Sequence, residues 1–474
     1  MDDTITAIST PLGEGGIGIV RMSGPEAISI ADRIFRLKVS AQNGEEKPSL
    51  FLSHTIHYGQ IVDTERGEEV DEVLLIVMRK PRTYTTEDVV EIHCHGGLMP
   101  LSRVLDITLR CGARLAERGE FTKRAFLNGR LDLSQAEAVL DIIQSKTKEG
   151  LDSALSLLHG VLSKEIHGLK ERTIQILTLI EAELEFPEDE IEELEGSEVL
   201  KIILDLRASL RKLIEDGKAG KILREGITAA IVGKPNVGKS SLLNALLLED
   251  RAIVTPFPGT TRDTLEEWMN LKGVPVKLID TAGIRQTDNP VEVEGVRRTM
   301  KAIEDADILL FLLDSSDQIT EEDIQIFNEI KDKKFLLLLN KCDLPKNEKL
   351  VEWLNGEWTN LANHQLSITN HFVYEVSATQ RLGLEALNKG MLEAVWGDGI
   401  SPKDLIVTRA RHLDALRRSL LALDRAEDGL REGKTHELIA FEVRESLDAL
   451  GEITGETTSE EILNRIFEEF CIGK

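Results

Sequence analysis

The sequence predicts an α/β multidomain chain in which one α/β domain interrupts a largely helical one. Three observations predict it. At 474 residues the chain exceeds one ordinary domain and calls for about three. The apolar run from Ile227 to Val232 feeds a glycine-rich turn, Gly233 to Ser240, and then a new helix: strand, loop and helix in series. Apolar residues at three- and four-residue spacing occur both before that stretch, from Leu131 to Phe186, and after it, in 383–474. Matching helical material on both sides of an α/β segment predicts an insertion between nearby chain ends.

Composition narrows the class. Hydrophobic residues at 41% and charged residues at 30% suit a soluble globular protein. No apolar run approaches the roughly 18 residues of a spanning helix. The start, Met1-Asp2-Asp3-Thr4, lacks the basic and apolar regions of a signal peptide, and Cys94, Cys111, Cys342 and Cys471 are too scattered for a disulfide framework. A cytoplasmic location is expected. A formal net charge of -26 excludes a non-specific nucleic-acid coat, so an RNA partner must meet a small basic patch or be held by a second protein.

Taken in order, residues 1–119 read as mixed α/β, with strands from Val70 to Met78 and Val89 to Ile92 and a helix from Leu98 to Arg110. Gly13, Gly15, Gly16 and Gly18 predict a turn between two short strands. His93-Cys94-His95 marks a strand end turned by Gly96-Gly97, since no four-ligand metal pattern completes it. Phe121 to Arg130 is basic and aromatic, suited to binding an anion or capping the following helix. Pro187-Glu188-Asp189-Glu190 predicts a solvated bend, Ile202 to Ile214 a helix, and Gly217 to Gly226 a lead into the inserted domain, which runs to about 382. Ala410 to Gly429 and His436 to Leu450 are helical again.

The inserted domain carries the chemistry. In Gly233-Lys234-Pro235-Asn236-Val237-Gly238-Lys239-Ser240-Ser241 the glycines let backbone N–H groups turn onto phosphate oxygens. Lys239 supplies positive charge, Ser240 a hydroxyl for Mg²⁺, and the new helix its N-terminal dipole. A strand from Val274 ends at Asp280-Thr281-Ala282-Gly283, where a carboxylate reaches the Mg²⁺ shell and a glycine backbone approaches the last phosphate. Another ends at Asn340-Lys341-Cys342-Asp343; Asp343 accepts from N1 and the exocyclic amine of guanine, a donor pair adenine does not offer. Ser377-Ala378-Thr379 suits a backbone contact to the guanine oxygen, and Thr261 lies where a mobile loop would place a hydroxyl on Mg²⁺. These motifs in order predict GTP rather than ATP. The residue after Gly283 is Ile284, which cannot orient water as a glutamine would, and Gln286 is offset. Arg262, Arg285, Glu292 and Glu294 are the remaining candidates.

Gly16 to Arg21, Glu91 to Gly97, Phe121 to Ala138, the nucleotide motifs and the terminal Cys471-Ile472-Gly473-Lys474 together resemble the MnmE/TrmE family of tRNA-modification GTPases, across essentially the whole chain. The resemblance implies a folate-binding-like dimerisation domain over 1–119, a discontinuous helical domain over 120–220 and 383–474, and a P-loop GTPase domain over 221–382. It implies a GTPase that, with the FAD-containing partner MnmG, helps modify C5 of wobble uridine in tRNA to a (carboxymethyl)aminomethyl product, using methylenetetrahydrofolate or a related tetrahydrofolate. Folate contacts would be Arg21, Glu91, Arg130 and Lys474. Cys471 matches a functional cysteine, and Glu292 the catalytic glutamate. A K⁺ ion would be held by Asn236 and by carbonyls near Thr255, Phe257 and Thr260, in a homodimer of GTPase domains. The alternative is an RNA-binding ribosome-assembly GTPase, which leaves the front segment and the terminal motif unexplained. Arg409, Arg411, Arg417 and Arg418 cluster in sequence, as a solvated helix face also would.

Overall fold

The computed structural model describes residues 3–38, 47–185, 194–249, 266–280, 301–358, 373–396 and 406–474. Two compact units emerge, one of 1–140, 157–203 and 421–474 and the other of 141–156 and 204–420. Among the described residues no helix is long and apolar enough to cross a membrane.

The first unit is built on a seven-stranded sheet: β1 Ile5–Ile8, β2 Gly15–Ser23, β3 Phe35–Leu37, β4 Thr55–Asp63, β5 Glu68–Met78, β6 Val89–Gly96 and β7 Arg114–Leu115, in the order β3-β4-β5-β6-β2-β1-β7. Alternation drives it. Val20 and Met22 on β2 and Val90, Ile92 and Cys94 on β6 point inward, against helices Ala27–Ile34 and Leu98–Arg110. The glycines expected to form a turn instead enter β2, from Gly15 onward. At Gly18, and at Gly96 opposite Gly15, the reason is steric, while a Cβ at Gly15 or Gly16 would meet nothing. A Cβ on Gly96 would lie 2.3 Å from the Gly15 oxygen, and one on Gly18 2.6 Å from Leu101, where the β2–β6 register shifts.

Helix Glu120–Leu127 absorbs most of the basic segment into structure. Arg124 is fully buried among Asp3, Glu87 and Glu120, at 2.8, 3.2 and 3.0 Å. Of the segment's basic residues, Arg124 is buried, Lys123 is intermediate, and Arg130, just past the helix, is exposed, as are Leu127, Asn128 and Gly129. Phe467 and Phe470, at the end of helix Glu460–Glu468, pack with Leu133, Ala136 and Leu140 and bring the C-terminus to this unit.

The second unit holds a six-stranded sheet: β8 Ile227–Val232, β9 Glu266–Leu271, β10 Val274–Asp280, β11 Ile308–Asp314, β12 Phe335–Asn340 and β13 Val373–Glu375, ordered β13-β12-β11-β8-β10-β9. All pairings are parallel except β9 with β10. Both faces are buried, which is why β11 and β12 are continuous apolar runs: Leu310, Leu312, Leu336 and Leu338 fill one face, Leu309, Phe311, Leu337 and Leu339 the other. Helix Leu194–Glu225 runs through Gly217 and Gly220, where a lead-in was expected. Those glycines do not break the helix because they serve close approach: a Cβ on Gly220 would meet the Val407 oxygen at 2.0 Å, one on Gly217 Leu413 at 2.5 Å. The helix stops at Gly226, whose φ of 80° is left-handed and whose N–H returns to the Ile222 oxygen at 2.8 Å.

Candidate functional sites

The glycine-rich loop follows β8, at the centre of the second sheet between β11 and β10. Open α/β sheets bind ligands at such a point, beyond the carboxyl ends of the strands. Asn236 sits at φ 62° and Gly238 at 101°, curling the loop before helix Lys239–Glu249. Lys239 is 7% exposed, and its Nζ donates to the Gly233 and Lys234 oxygens, both at 2.8 Å. The Ser240 hydroxyl donates to the Asp280 carboxylate at 2.7 Å, so two hard oxygen ligands already share one place, a fit to Mg²⁺. Ser241 opens the helix beside them, exposed.

At the end of β12, Asn340 is 2% exposed. Its Nδ2 donates to the Val237 oxygen at 2.7 Å, and its Oδ1 accepts from Ala378 N at 3.1 Å. A Cβ on Gly238 would lie 2.3 Å from Asn340 Nδ2, so the loop needs glycine for this approach as well as for its φ. Ser377 and Thr379 face one another at 3.3 Å, and Asp343 is exposed. Lys341 pairs with Asp314 at 2.5 Å. Burial opposes ionisation of that aspartate, but the Lys341 and Ser316 bonds outweigh it and hold its carboxyl below the usual range. Thr255, Phe257, Thr260, Thr261, Thr281, Ala282, Gly283, Ile284 and Glu292 lie outside the described residues.

A second site forms in the first unit. Arg21 and Glu91 are direct cross-strand neighbours on β2 and β6, and Arg21 Nε donates to Glu91 at 2.8 Å. The chain's last residues dock beside them. Arg118 bridges to Ile472 in antiparallel fashion and donates from Nε to the Phe470 oxygen at 3.1 Å; Phe121 N donates to the Lys474 oxygen at 3.2 Å. Arg21 also reaches the Gly473 oxygen at 3.4 Å. Gly473 is required there, with φ 92° and the Ile8 oxygen 2.4 Å from any Cβ. Burial, then Arg21, push the Lys474 amine below its ordinary value, with Glu91 and Cys471 opposing. Arg130 lies over the Tyr84 ring at 4.9 Å and donates to the Tyr84 oxygen at 3.2 Å. Tyr84 and Arg118 have no local sequence signature; they are recruited by tertiary proximity alone. Cys471 is exposed; His93 bonds Glu91 at 3.3 Å, and among the described residues no group of three His, Cys, Asp or Glu is placed to hold a metal.

Through Asn340 the glycine-rich loop and the Ser377–Thr379 segment share one buried side chain, and that arrangement, with the motifs in their order, defines the class: a P-loop protein for guanine nucleotides. Comparison with known proteins narrows it. The family model for the MnmE helical domain matches residues 133–471, and that for the GTP-binding protein TrmE N-terminus matches 4–130. The chain is 47% identical over 475 residues to the tRNA modification GTPase MnmE of Thermoanaerobacter pseudethanolicus, covering 100% of this chain and 99% of the relative. It is 45% identical over 478 residues to that of Alkaliphilus metalliredigens, covering 100% of both. The chain belongs to the MnmE/TrmE family of tRNA modification GTPases, with the GTPase domain embedded in the helical region.

Proposed function

We propose that the chain is the GTP-hydrolysing component of a cytoplasmic complex that modifies C5 of wobble uridine in tRNA, acting as a homodimer with the flavoprotein MnmG. A reduced folate supplies the one-carbon unit. The observation that carries the folate assignment is the docking of Gly473-Lys474 beside the Arg21–Glu91 pair, which gathers a carboxylate and two cations in one place. Glu91 suits the amino-bearing pterin ring, and Arg130 a folate carboxylate. Cys471 lies on the same tail, as a free and exposed thiol. In this reading the domains are 1–119, 120–220 with 383–474, and 221–382.

In the GTPase domain, Lys239 offsets phosphate charge, while Ser240, Asp280 and Thr261 serve Mg²⁺. Asn236, with carbonyls of Thr255, Phe257 and Thr260, holds K⁺, whose charge takes the place of an arginine finger, and Glu292 orients water where Ile284 cannot. GTPase rates in K⁺ against Na⁺, for the native chain and Glu292→Gln, test both roles; equal rates throughout would sink them. Reconstitution with MnmG, tRNA, GTP and methylenetetrahydrofolate, omitting one at a time, tests the whole. Loss of wobble modification on omitting GTP or folate is expected, and full modification without folate would overturn the folate role.

A further inference from the structure

The first unit contains a cavity of ≈ 540 Å³ that the folate assignment leaves largely unused. It falls within the roughly 300–1,000 Å³ of small-molecule sites. Arg82, Arg130, His54, Asn128 and Tyr84 contribute to its lining, which contains no aspartate or glutamate. That is unusual for a chain with 83 acidic against 57 basic residues. We propose that this cavity binds the γ-linked oligoglutamate tail of the reduced folate whose ring is assigned to Arg21, Glu91 and Lys474. The inference rests on that assignment and deepens it.

Three observations support the tail's chemistry. First, Arg21 already donates through Nε to Glu91 and through an Nη to the Gly473 oxygen, whereas Arg82 and Arg130 bring two further guanidinium groups to the cavity. Second, Tyr84 joins the two places. Its ring underlies Arg130 in the cavity wall, and its hydroxyl bonds Thr122 at 2.9 Å. Thr122 adjoins Phe121, whose ring lies 5.6 Å from the Arg21 guanidinium, so the Arg21 corner and the Arg130 wall belong to one packed cluster. Third, the two cavity arginines are differently placed. Arg130 is anchored by the Tyr84 carbonyl, and Asn128 beside it is fixed to the Thr85 oxygen at 2.7 Å. Arg82 is exposed and has no carboxylate partner among the described residues. A single terminal glutamate satisfies Arg130; each added γ-glutamyl unit brings another α-carboxylate, and Arg82 is the cation next available for it.

The test is calorimetric titration of the full chain with 5-formyltetrahydrofolate carrying one or three glutamates. The native chain should bind the triglutamate about 2- to 5-fold more tightly, as expected for one added arginine–carboxylate pair at an exposed site. Arg82→Ala should abolish that preference, and Arg82→Lys should keep part of it. Equal affinity for the two ligands in the native chain, or an undiminished preference in Arg82→Ala, would overturn the proposal while leaving the folate assignment standing. Failure of both ligands to bind, with GTP binding intact, would remove the folate assignment and the tail with it. If Arg82→Ala weakens tRNA retention yet keeps the triglutamate preference, Arg82 serves RNA phosphate and the proposal falls.

Discussion

The nucleotide corner and the terminal-tail corner are assembled in opposite ways. In the first, each functional side chain lies at a strand's carboxyl end or in the loop and helix that directly follow it. β8 presents Lys239 and Ser240, β10 presents Asp280, and β12 presents Asn340. In the second, Arg21, Glu91, Arg130 and Lys474 come from four separate segments, and the contact from Arg21 to Gly473 spans 452 positions. A site built on strand ends inherits its geometry from the sheet. A site built on a docked chain end depends on the last few residues staying down, and so on a few close contacts. The two should respond to mutation differently.

The largest expected effect separates them from the nucleotide side. Asp343→Asn removes the acceptor for guanine's two donors and should weaken GTP binding by roughly 2–5 kcal/mol. Xanthosine triphosphate, with an oxygen in place of the amine, should recover most of the loss, and folate titrations should not change. Next is Gly473→Ala. A Cβ there meets the Ile8 oxygen at 2.4 Å with φ 92°, so docking of the tail should lose about 1–3 kcal/mol. Folate affinity should fall while GTP affinity holds; a parallel fall in both would contradict the contrast.

A smaller effect comes from Lys474. Burial, and then Arg21, lower its pKa, so on an alkaline titration it loses its charge before an ordinary lysine does. Affinity for anionic folate should therefore decline as pH rises through a window below the ordinary lysine value, and Lys474→Arg should flatten that decline. The stability sign is opposite. The charged form is the disfavoured one in the folded chain, so this group's penalty is full below its folded pKa and is relieved as pH rises through it. The smallest test uses thiols. Burial, then Asp71, push Cys94 up to about 12, whereas Cys471 is exposed. Alkylation of the folded chain at mildly alkaline pH should mark Cys471 first and Cys94 last, read by peptide mass spectrometry.

This contrast also explains what could be read beforehand. The strands β8, β10 and β12, and the motifs ending them, were legible because a buried parallel strand must be a continuous apolar run and a phosphate loop must be glycine-rich. Glycine points elsewhere than to a turn at Gly18 and at Gly217 and Gly220, where it serves close packing within a strand and a helix. Local pattern does not separate a glycine that turns the chain from one that admits a neighbour. Phe121 to Arg130 reads in sequence as a basic and aromatic segment suited to binding an anion or capping a helix, and its cations separate in space: Arg124 is buried in a carboxylate cluster and Arg130 faces the cavity.

By itself, then, the sequence determined the guanine-nucleotide chemistry and the insertion of its domain, since both follow from short-range order along the chain. Tertiary structure decided that Arg21 is paired with Glu91, that Gly473-Lys474 lies beside them, and that Tyr84 and Arg130 line a carboxylate-free cavity. These depend on cross-strand register and on steric fit between residues hundreds of positions apart, which no local pattern encodes.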